Sequence, residues 1–126
     1  MVAAAPSCET VMRKFAKFIG DRLLVAHNAS FDKNFLDSEF ERISKSRSNN
    51  MACSMLASRR IYPNAPTHKL GTLVGYCDIG TDGIFHRALA DAQMTGHLWI
   101  SMIDHIKKTF DIRQVPFGAM QKLHFF

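Results

Sequence analysis

Two short clusters of His, Asn and Asp side chains contain groups that could do chemistry. The first cluster, residues 27–32 (His-Asn-Ala-Ser-Phe-Asp), follows the apolar run 23–26, which is typical of a strand buried on both faces. Ligands in open α/β sheets bind beyond the carboxyl ends of such strands, which is where Asp32 is expected. An isolated aspartate there is more often explained by its favourable interaction with a helix N-terminus, so this cluster alone leaves both interpretations open.

The second cluster, residues 86–92 (His-Arg-Ala-Leu-Ala-Asp-Ala), begins the last long predicted helix. Residues five apart in a regular helix point about 140° apart, so His86 and Asp91 converge only if His86 lies on the preceding loop. Gly80 and Gly83 would give that loop the necessary freedom. A lone histidine at this place is more often an ordinary capping or exposed residue.

The hydrophobic pattern predicts the elements that position these clusters: helix, strand, helix, strand and three further helices. The two strands are short, at residues 23–26 and 51–54, and two strands make a poor sheet on their own. We predict N-caps at Ser7 and Ser30 and a C-cap at Gly20. One apolar stripe is predicted on the second helix: Phe31, Phe35, Leu36, Phe40 and Ile43. The last helix should run from about 86 to 108, followed by an irregular arm.

Composition limits the class of protein. With 126 residues, 47% hydrophobic and 21% charged, the chain has the composition of one globular domain. Its net charge of +5 favours an anionic partner such as nucleic acid. Three cysteines, an odd number without metal-ligand spacing, fit a reducing cytoplasm and not a disulfide-built secreted fold. Because the apolar runs are all too short for a membrane span, we expect a cytoplasmic location without membrane contact.

Together the two clusters resemble the DEDDh family of 3′→5′ exonucleases, the family of the epsilon subunit of bacterial DNA polymerase III and of ribonuclease T. The matching motifs are His-Asn-x-x-Phe-Asp at 27–32 and His-x-Ala-x-x-Asp-Ala at 86–92. The resemblance covers residues 6–108 and leaves 109–126 as a C-terminal tail of a partial exonuclease domain, 1–126. It implies an α/β, ribonuclease H-like exonuclease fold.

The resemblance also implies a role for each motif residue. Asp32 and Asp91 would be catalytic carboxylates that hold Mg²⁺ or Mn²⁺, and His86 would be the general base. Two such ions activate water and stabilise the leaving oxygen, and hard cations prefer carboxylate ligands. The residues implied beside the substrate are His27, Asn28 and Phe31. Asn28 and Phe31 are explained equally well as a turn residue and a core anchor.

The family's first motif, an Asp-x-Glu pair on its first strand, has no counterpart here. The acidic residues before Asp32 are Glu9 and Asp21, and neither lies in such a pair on a buried strand. We therefore expect an N-terminally truncated fold, without three opening strands and mostly helical. Its metal site should be incomplete and its activity weak or absent. The unpaired strand 23–26 should form a homodimer through its exposed edge or pair with a missing N-terminal piece.

The predicted function is metal-dependent 3′→5′ exonuclease action on single-stranded nucleic-acid 3′ ends. The alternative is a non-catalytic module that binds nucleic acid or a partner protein on the same scaffold. A candidate phosphate-contacting surface comprises Arg42, Lys45, Arg47, Arg59, Arg60, His68 and Lys69. The commoner explanation of such residues is a solvated charged face.

Overall fold

The computed structural model describes residues 7–80 and 88–125. Within them, helices surround a small parallel sheet, and the predicted order of elements up to residue 110 is confirmed. The elements are α1 (Cys8–Ile19), β1 (Leu24–Ala26), α2 (Ala29–Arg42), β2 (Met51–Cys53), α3 (Ser54–Ile61), α4 (Leu70–Tyr76), α5 (Ala88–Phe110), α6 (Phe117–Lys122) and a 3-10 turn (Leu123–Phe125). The described part of the domain is therefore α/β but mostly helical.

The caps of α1 are the ones that the sequence predicts. The Ser7 hydroxyl accepts a hydrogen bond from the backbone N–H of Thr10 at 3.1 Å. Gly20 ends the helix with a φ of 49°, a conformation that a side chain would disfavour, and its N–H bonds to the carbonyl of Ala16 at 3.1 Å. The chain can then turn sharply into β1.

The second helix begins differently from the prediction. It starts at Ala29, with Asn28 at the N-cap in the left-handed conformation, so Ser30 lies inside the helix and the predicted Ser30 cap is wrong. Asn tolerates this backbone conformation better than most residues. The Asn28 side chain makes no capping hydrogen bond. The backbone carbonyl of Asn28 accepts a hydrogen bond from the N–H of Phe31 at 3.2 Å.

The predicted apolar stripe of α2 is also wrong for its first two members. Phe40 and Ile43 are buried, whereas Phe31 and Phe35 are 69% and 62% exposed. At 3.6 residues per turn, Phe31 and Phe40 point about 180° apart, so they cannot belong to one face. The inward-facing stripe consists of half-buried Leu36 with buried Phe40 and Ile43, which are spaced by four and three residues.

The two strands pair in parallel, and the Cα of Ala26 lies opposite that of Cys53. Leu24 donates its N–H to the carbonyl of Asn50 at 2.9 Å, so its backbone groups face β2. Because successive residues of a strand direct their backbone groups to opposite edges, those of Val25 face the outer edge of β1. Within residues 7–80 and 88–125, no further strand pairs with that edge of β1.

The other outer edge, that of β2, is covered by side chains from the C-terminal segment. The amide of Gln121 donates to the carbonyl of Met51 at 3.2 Å. The Nε2 atom of His124 accepts the backbone N–H of Cys53 at 2.9 Å. Alternate residues of a strand direct their backbone groups to the same edge, so these two side chains take the place of a neighbouring strand. The segment is thus an ordered part of the fold and not the irregular arm that we expected.

The main core of the described residues lies between α3, α4, α5 and α6. Its fully buried members include Leu73, Leu98, Met102 and Met120. Met120 comes from α6, so the C-terminal segment contributes apolar burial as well as hydrogen bonds. None of the helices in the described part of the chain is long and apolar enough to cross a membrane.

We predict that His124→Phe lowers the free energy of unfolding by about 1–2 kcal/mol, because it leaves the buried N–H of Cys53 without an acceptor. His124→Gln, which can present an amide oxygen, should restore part of the loss. The exposed neighbour Lys122 provides the control, Lys122→Ala, which should change stability by less than about 0.5 kcal/mol. Urea unfolding measures all three, and equal losses for His124→Phe and Lys122→Ala would contradict this account.

The same contact predicts a pH dependence. Burial lowers the pKa of His124 from its ordinary value, against the effect of the hydrogen bond from Cys53. The unfolded chain then binds more protons than the folded one, so the His124 contribution is present above the unfolded pKa of about 6.5 and is lost as the pH falls. Stability measured at pH 7.5 and 5.5 should therefore fall less in His124→Gln than in the wild type.

Candidate functional site

A cavity of about 570 Å³ lies at the carboxyl end of β1, beside the edge that no other strand of residues 7–80 and 88–125 pairs with. Its walls come from α1, β1, the start of α2 and the N-terminal turns of α5. The lining residues are Phe15, Val25, Ala26, His27, Asp32, Ala88, Ala92, Thr95 and Gly96. The α5 residues are all small, which lets this helix approach the strand closely.

Asp32 lies in the first turn of α2 and lines this cavity. Partial burial raises the pKa of its carboxyl from the ordinary value, and a hydrogen bond with its own backbone N–H opposes the rise. Asp32 is nevertheless exposed at the surface, and its place in the first turn also suits a favourable interaction with the helix N-terminus. A partly desolvated carboxyl gains from a nearby cation, because the cation stabilises its charged form.

Asp91 lies in the first turn of α5 and is half-buried. It follows Ala88 by three residues and precedes Thr95 by four, and both of those residues line the cavity. Residues at these spacings share one helix face. The Thr95 hydroxyl donates to the Asp91 backbone carbonyl at 2.8 Å. The structure therefore places Asp32 and the helical turn that carries Asp91 beside the same cavity.

His86, the predicted general base, lies outside the described residues.

Both ring nitrogens of His27 are engaged by the protein. Nε2 lies 2.7 Å from the carbonyl oxygen of His68, which can only accept, so Nε2 carries the proton. In the neutral ring, Nδ1 then accepts from the hydroxyl of Ser54 at 2.8 Å. Burial lowers the pKa of His27, in keeping with this neutral form. The ring joins the end of β1 to α3 and to the loop before α4; a contact of His27 with substrate stays a prediction.

Sequence reasoning missed Ser54 and His68 as partners of His27. A signal for Ser54 was available, because His27 directly follows the first predicted strand and Ser54 is the last residue of the second. The carboxyl ends of paired parallel strands lie at the same sheet edge, and the Ala26–Cys53 register makes His27 and Ser54 neighbours. No comparable pattern points to the carbonyl of His68, since it comes from a loop.

The structure tests the structural roles that the sequence suggested for Asn28, as a turn residue, and for Phe31, as a core anchor. Asn28 is a turn residue, with φ 70°, and it is exposed. Phe31 is 69% exposed, so its interpretation as a core anchor is wrong. The position of Phe31 in the turn that carries Asp32 is compatible with contact to a ligand, which stays a prediction.

The donor chemistry fits Mg²⁺ or Mn²⁺, but the number of donors is small. Asp32 and Asp91 offer the carboxylate oxygens that these cations prefer. Among residues 7–80 and 88–125, however, no group of three or more His, Cys, Asp or Glu side chains could hold a metal ion. A role of Asp32 and Asp91 in binding a metal ion stays a prediction.

The predicted phosphate-contacting surface is smaller than expected. The side chain of Arg47 is 3% exposed and donates to the carboxylate of Asp37 at 2.8 Å and to the carbonyl of Asn49 at 2.7 Å. Hydrogen bonds from Lys33 and Arg47 lower the pKa of Asp37. Arg47 is therefore a structural residue, because its hydrogen bonds connect the loop before β2 with α2. Five cations of the predicted surface are exposed, and they are spread over the end of α2, the loop before β2, the end of α3 and the loop before α4: Arg42, Lys45, Arg59, Arg60 and Lys69.

We predict that Ser54→Ala lowers the free energy of unfolding by about 1–2 kcal/mol, because Ser54 is fully buried and its loss leaves His27 Nδ1 without a donor. Ser58→Ala is the matched control, since Ser58 is equally buried but bonds only to the carbonyl of Met55 in its own helix. The Nε2–H tautomer of His27 should persist in Ser54→Ala, because the His68 carbonyl still accepts that proton. The ¹⁵N shift of Nδ1 should move toward the value of a ring nitrogen without a hydrogen bond, and an unchanged Nδ1 shift in Ser54→Ala would contradict the assigned bond from Ser54.

Comparison with known proteins identifies the family of this chain. A family model described as Exonuclease, that of ribonuclease T, matches residues 1–98. The DNA polymerase III PolC-type of Halalkalibacterium halodurans is 40% identical over 104 residues, 82% of this chain and 7% of that protein. The PolC-type polymerase of Bacillus cereus is 36% identical over 113 residues, 88% of this chain and 8% of that protein. That of Listeria welshimeri is 34% identical over 113 residues, 89% of this chain and 8% of that protein.

The chain spans less than a tenth of the length of these relatives. No solved structure matches it. The family model covers most of the chain, including β1, the Asp32 turn and the Asp91 turn, so the resemblance found in the two motifs is confirmed at the level of the family. The chain belongs to the exonuclease family.

Proposed function

We propose that this chain carries part of a metal-dependent 3′→5′ exonuclease site that hydrolyses phosphodiester bonds at single-stranded 3′ ends. The observation that carries the proposal is the cavity at the end of β1, which Asp32 lines together with the face of α5 next to Asp91. Family membership supports the reaction class. The relatives are DNA polymerases, which favours DNA over RNA as the substrate.

In this proposal Asp32 and Asp91 hold the divalent ions, Mg²⁺ or Mn²⁺. When bound, the ions would supply activation of water and stabilisation of the leaving 3′ oxygen. The chain itself would orient these carboxylates. Val25 and Ala26 would supply an apolar part of the cavity lining that excludes water. His86 would accept the proton of the attacking water, a role taken from the family motif.

The proposed fold is ribonuclease H-like, with further strands added at the free edge of β1. Val25 directs its backbone groups to that edge, and the cavity with Asp32 lies beside it. A strand in this place would satisfy those groups and could bring acidic side chains toward Asp32. We propose that such a strand comes from outside the described residues, either from a longer polypeptide or from a second copy in a homodimer.

The domain assignment remains a proposal. We take residues 1–126 as a partial exonuclease domain, with the family resemblance in 6–108 and a tail in 109–126. The tail nevertheless packs on the rest of the domain, through Met120 in the core and His124 at the edge of β2. A variant that lacks the tail should therefore be less stable.

We predict that the chain alone binds Mn²⁺ weakly and shortens a 5′-labelled single-stranded DNA slowly or not at all. Asp32→Asn and Asp91→Asn should each reduce Mn²⁺ affinity, measured by electron paramagnetic resonance, by roughly tenfold, because each removes a charged ligand. Any nuclease activity should fall by at least about a hundredfold. Both losses should be absent in Asp104→Asn, a control on an exposed turn of the same helix.

Two outcomes would overturn the proposal. One is rapid degradation of the oligonucleotide that persists in Asp32→Asn and Asp91→Asn, since the activity would then lie elsewhere. The other is Mn²⁺ affinity that is the same in all three variants and the wild type. Because Mn²⁺ binding is measured without substrate, the metal site is tested even if the isolated chain is inactive.

The second candidate function is a non-catalytic module that binds nucleic acid or a partner protein. The observation in its favour is that the described residues hold no cluster of three metal-binding side chains. This function predicts salt-sensitive oligonucleotide binding that is unchanged in Asp32→Asn and Asp91→Asn. Fluorescence anisotropy without divalent ions distinguishes it from the exonuclease proposal.

A further inference from the structure

A second cavity, of about 490 Å³, lies at the other end of α5. Its walls come from the end of α3, the last turns of α5, and α6 with the segments on either side of it. Ala92 in the Asp32 cavity and Ile106 in this one are separated by 14 residues of α5, or roughly 20 Å along the helix. The two cavities are therefore separate, and the exonuclease proposal makes no use of this one.

The walls of this α5–α6 cavity are almost entirely apolar. Prominent wall residues are Ile61, Ile106, Phe110, Val115, Met120 and Leu123. The cavity is open to solvent at one side, where Phe110 is 69% exposed and Ile112 is 44% exposed. An apolar cavity gives water few hydrogen-bonding partners, so an apolar ligand would replace water there at a gain in free energy. Its volume lies within the range of small-molecule sites.

The lining of the cavity also includes three polar side chains, contributed by α3 and α5. They are Arg60, His105 and Thr109. Arg60 is exposed, and within the described residues it forms no ion pair. The ring of His105 is tilted against Tyr62, with centroids 5.3 Å apart. The lining thus offers a cation and a hydroxyl, whereas most of the cavity surface is apolar.

We propose that the α5–α6 cavity binds an unbranched carboxylic acid of medium chain length. Its hydrocarbon chain lies between α5 and α6, against Ile106 and Met120. Its carboxylate lies beside Arg60, which supplies the opposite charge, and within reach of the Thr109 hydroxyl. The combination of one cation with an otherwise apolar cavity favours an anionic amphiphile over a neutral hydrocarbon or a cationic one.

A titration with decanoate, followed by NMR of ¹³C-methyl-labelled methionines, tests this inference. Met120 lines the cavity, whereas Met12 lies on α1 and Met51 on β2. We expect a saturable shift of the Met120 methyl signal, with Met12 unchanged. Ala119→Trp, which fills the cavity from the exposed face of α6, should abolish the shift. The melting temperature of this variant establishes that it is folded.

Two arginines on the same helix turn separate charge recognition from simple apolar binding. Arg60→Gln should weaken decanoate binding roughly three- to fivefold, the size expected for an exposed ion pair, and leave decanol binding unchanged. Arg59→Gln, also in the last turn of α3 but not lining the cavity, should bind decanoate like the wild type. The same decanoate affinity in Arg60→Gln and Arg59→Gln overturns the assigned carboxylate position. Absence of a saturable Met120 shift overturns the site itself.

Discussion

The parallel pairing of β1 with β2 is the constraint on which the candidate site depends. With Ala26 opposite Cys53, the next residues along each strand, His27 and Ser54, become neighbours at the carboxyl edge of the sheet. The starts of α2 and α3 are thereby brought together, and Asp32 is placed one helical turn away from the junction. His27 extends this junction to the loop before α4 through the carbonyl of His68. Both hydrogen bonds of the His27 ring are short and half-buried. They fix the end of β1, from which the chain enters the α2 turn that carries Asp32.

The long helix α5 connects this site to the core of the domain. Its N-terminal turns carry small residues, Ala88, Ala92 and Gly96, which allow close approach to β1 and leave room for the cavity beside Asp32. Its later turns carry larger residues such as Leu98 and Met102, which pack fully buried against α3 and α4. Most of the apolar burial thus lies away from the candidate site. The site is attached to a stable core by one helix and one pair of strands.

The two edges of the sheet differ in how their backbone groups are satisfied. At β2, Gln121 and His124 supply hydrogen bonds that a neighbouring strand would otherwise supply. At β1, no further strand of the described chain pairs with the outer edge, and the Asp32 cavity lies beside it. An unpaired edge beside Asp32 and the turn that carries Asp91 is a natural place for an added strand. This asymmetry is the structural reason for the proposed position of the remaining exonuclease residues.

The sequence by itself determined the features that depend on residues close together in the chain. Ser7 and Gly20 cap α1 as predicted because capping bonds join residues three or four apart. The two motifs identified the family because each is a short, specific run that includes Asp32 or Asp91. The apolar period of α2 was also present in the sequence, but five residues were assigned to one stripe that a 3.6-residue turn divides between two faces.

Only the tertiary structure decided which distant groups meet. The burial of Arg47 against Asp37, the bond from Ser54 to His27 and the capping of β2 by His124 join residues 10, 27 and 71 positions apart. No local period encodes these contacts, because each depends on the register of the sheet or on the packing of a helix against it. The cavity beside Asp32 and the exposure of Phe31 have the same origin, since both are set by which elements cover β1 and α2.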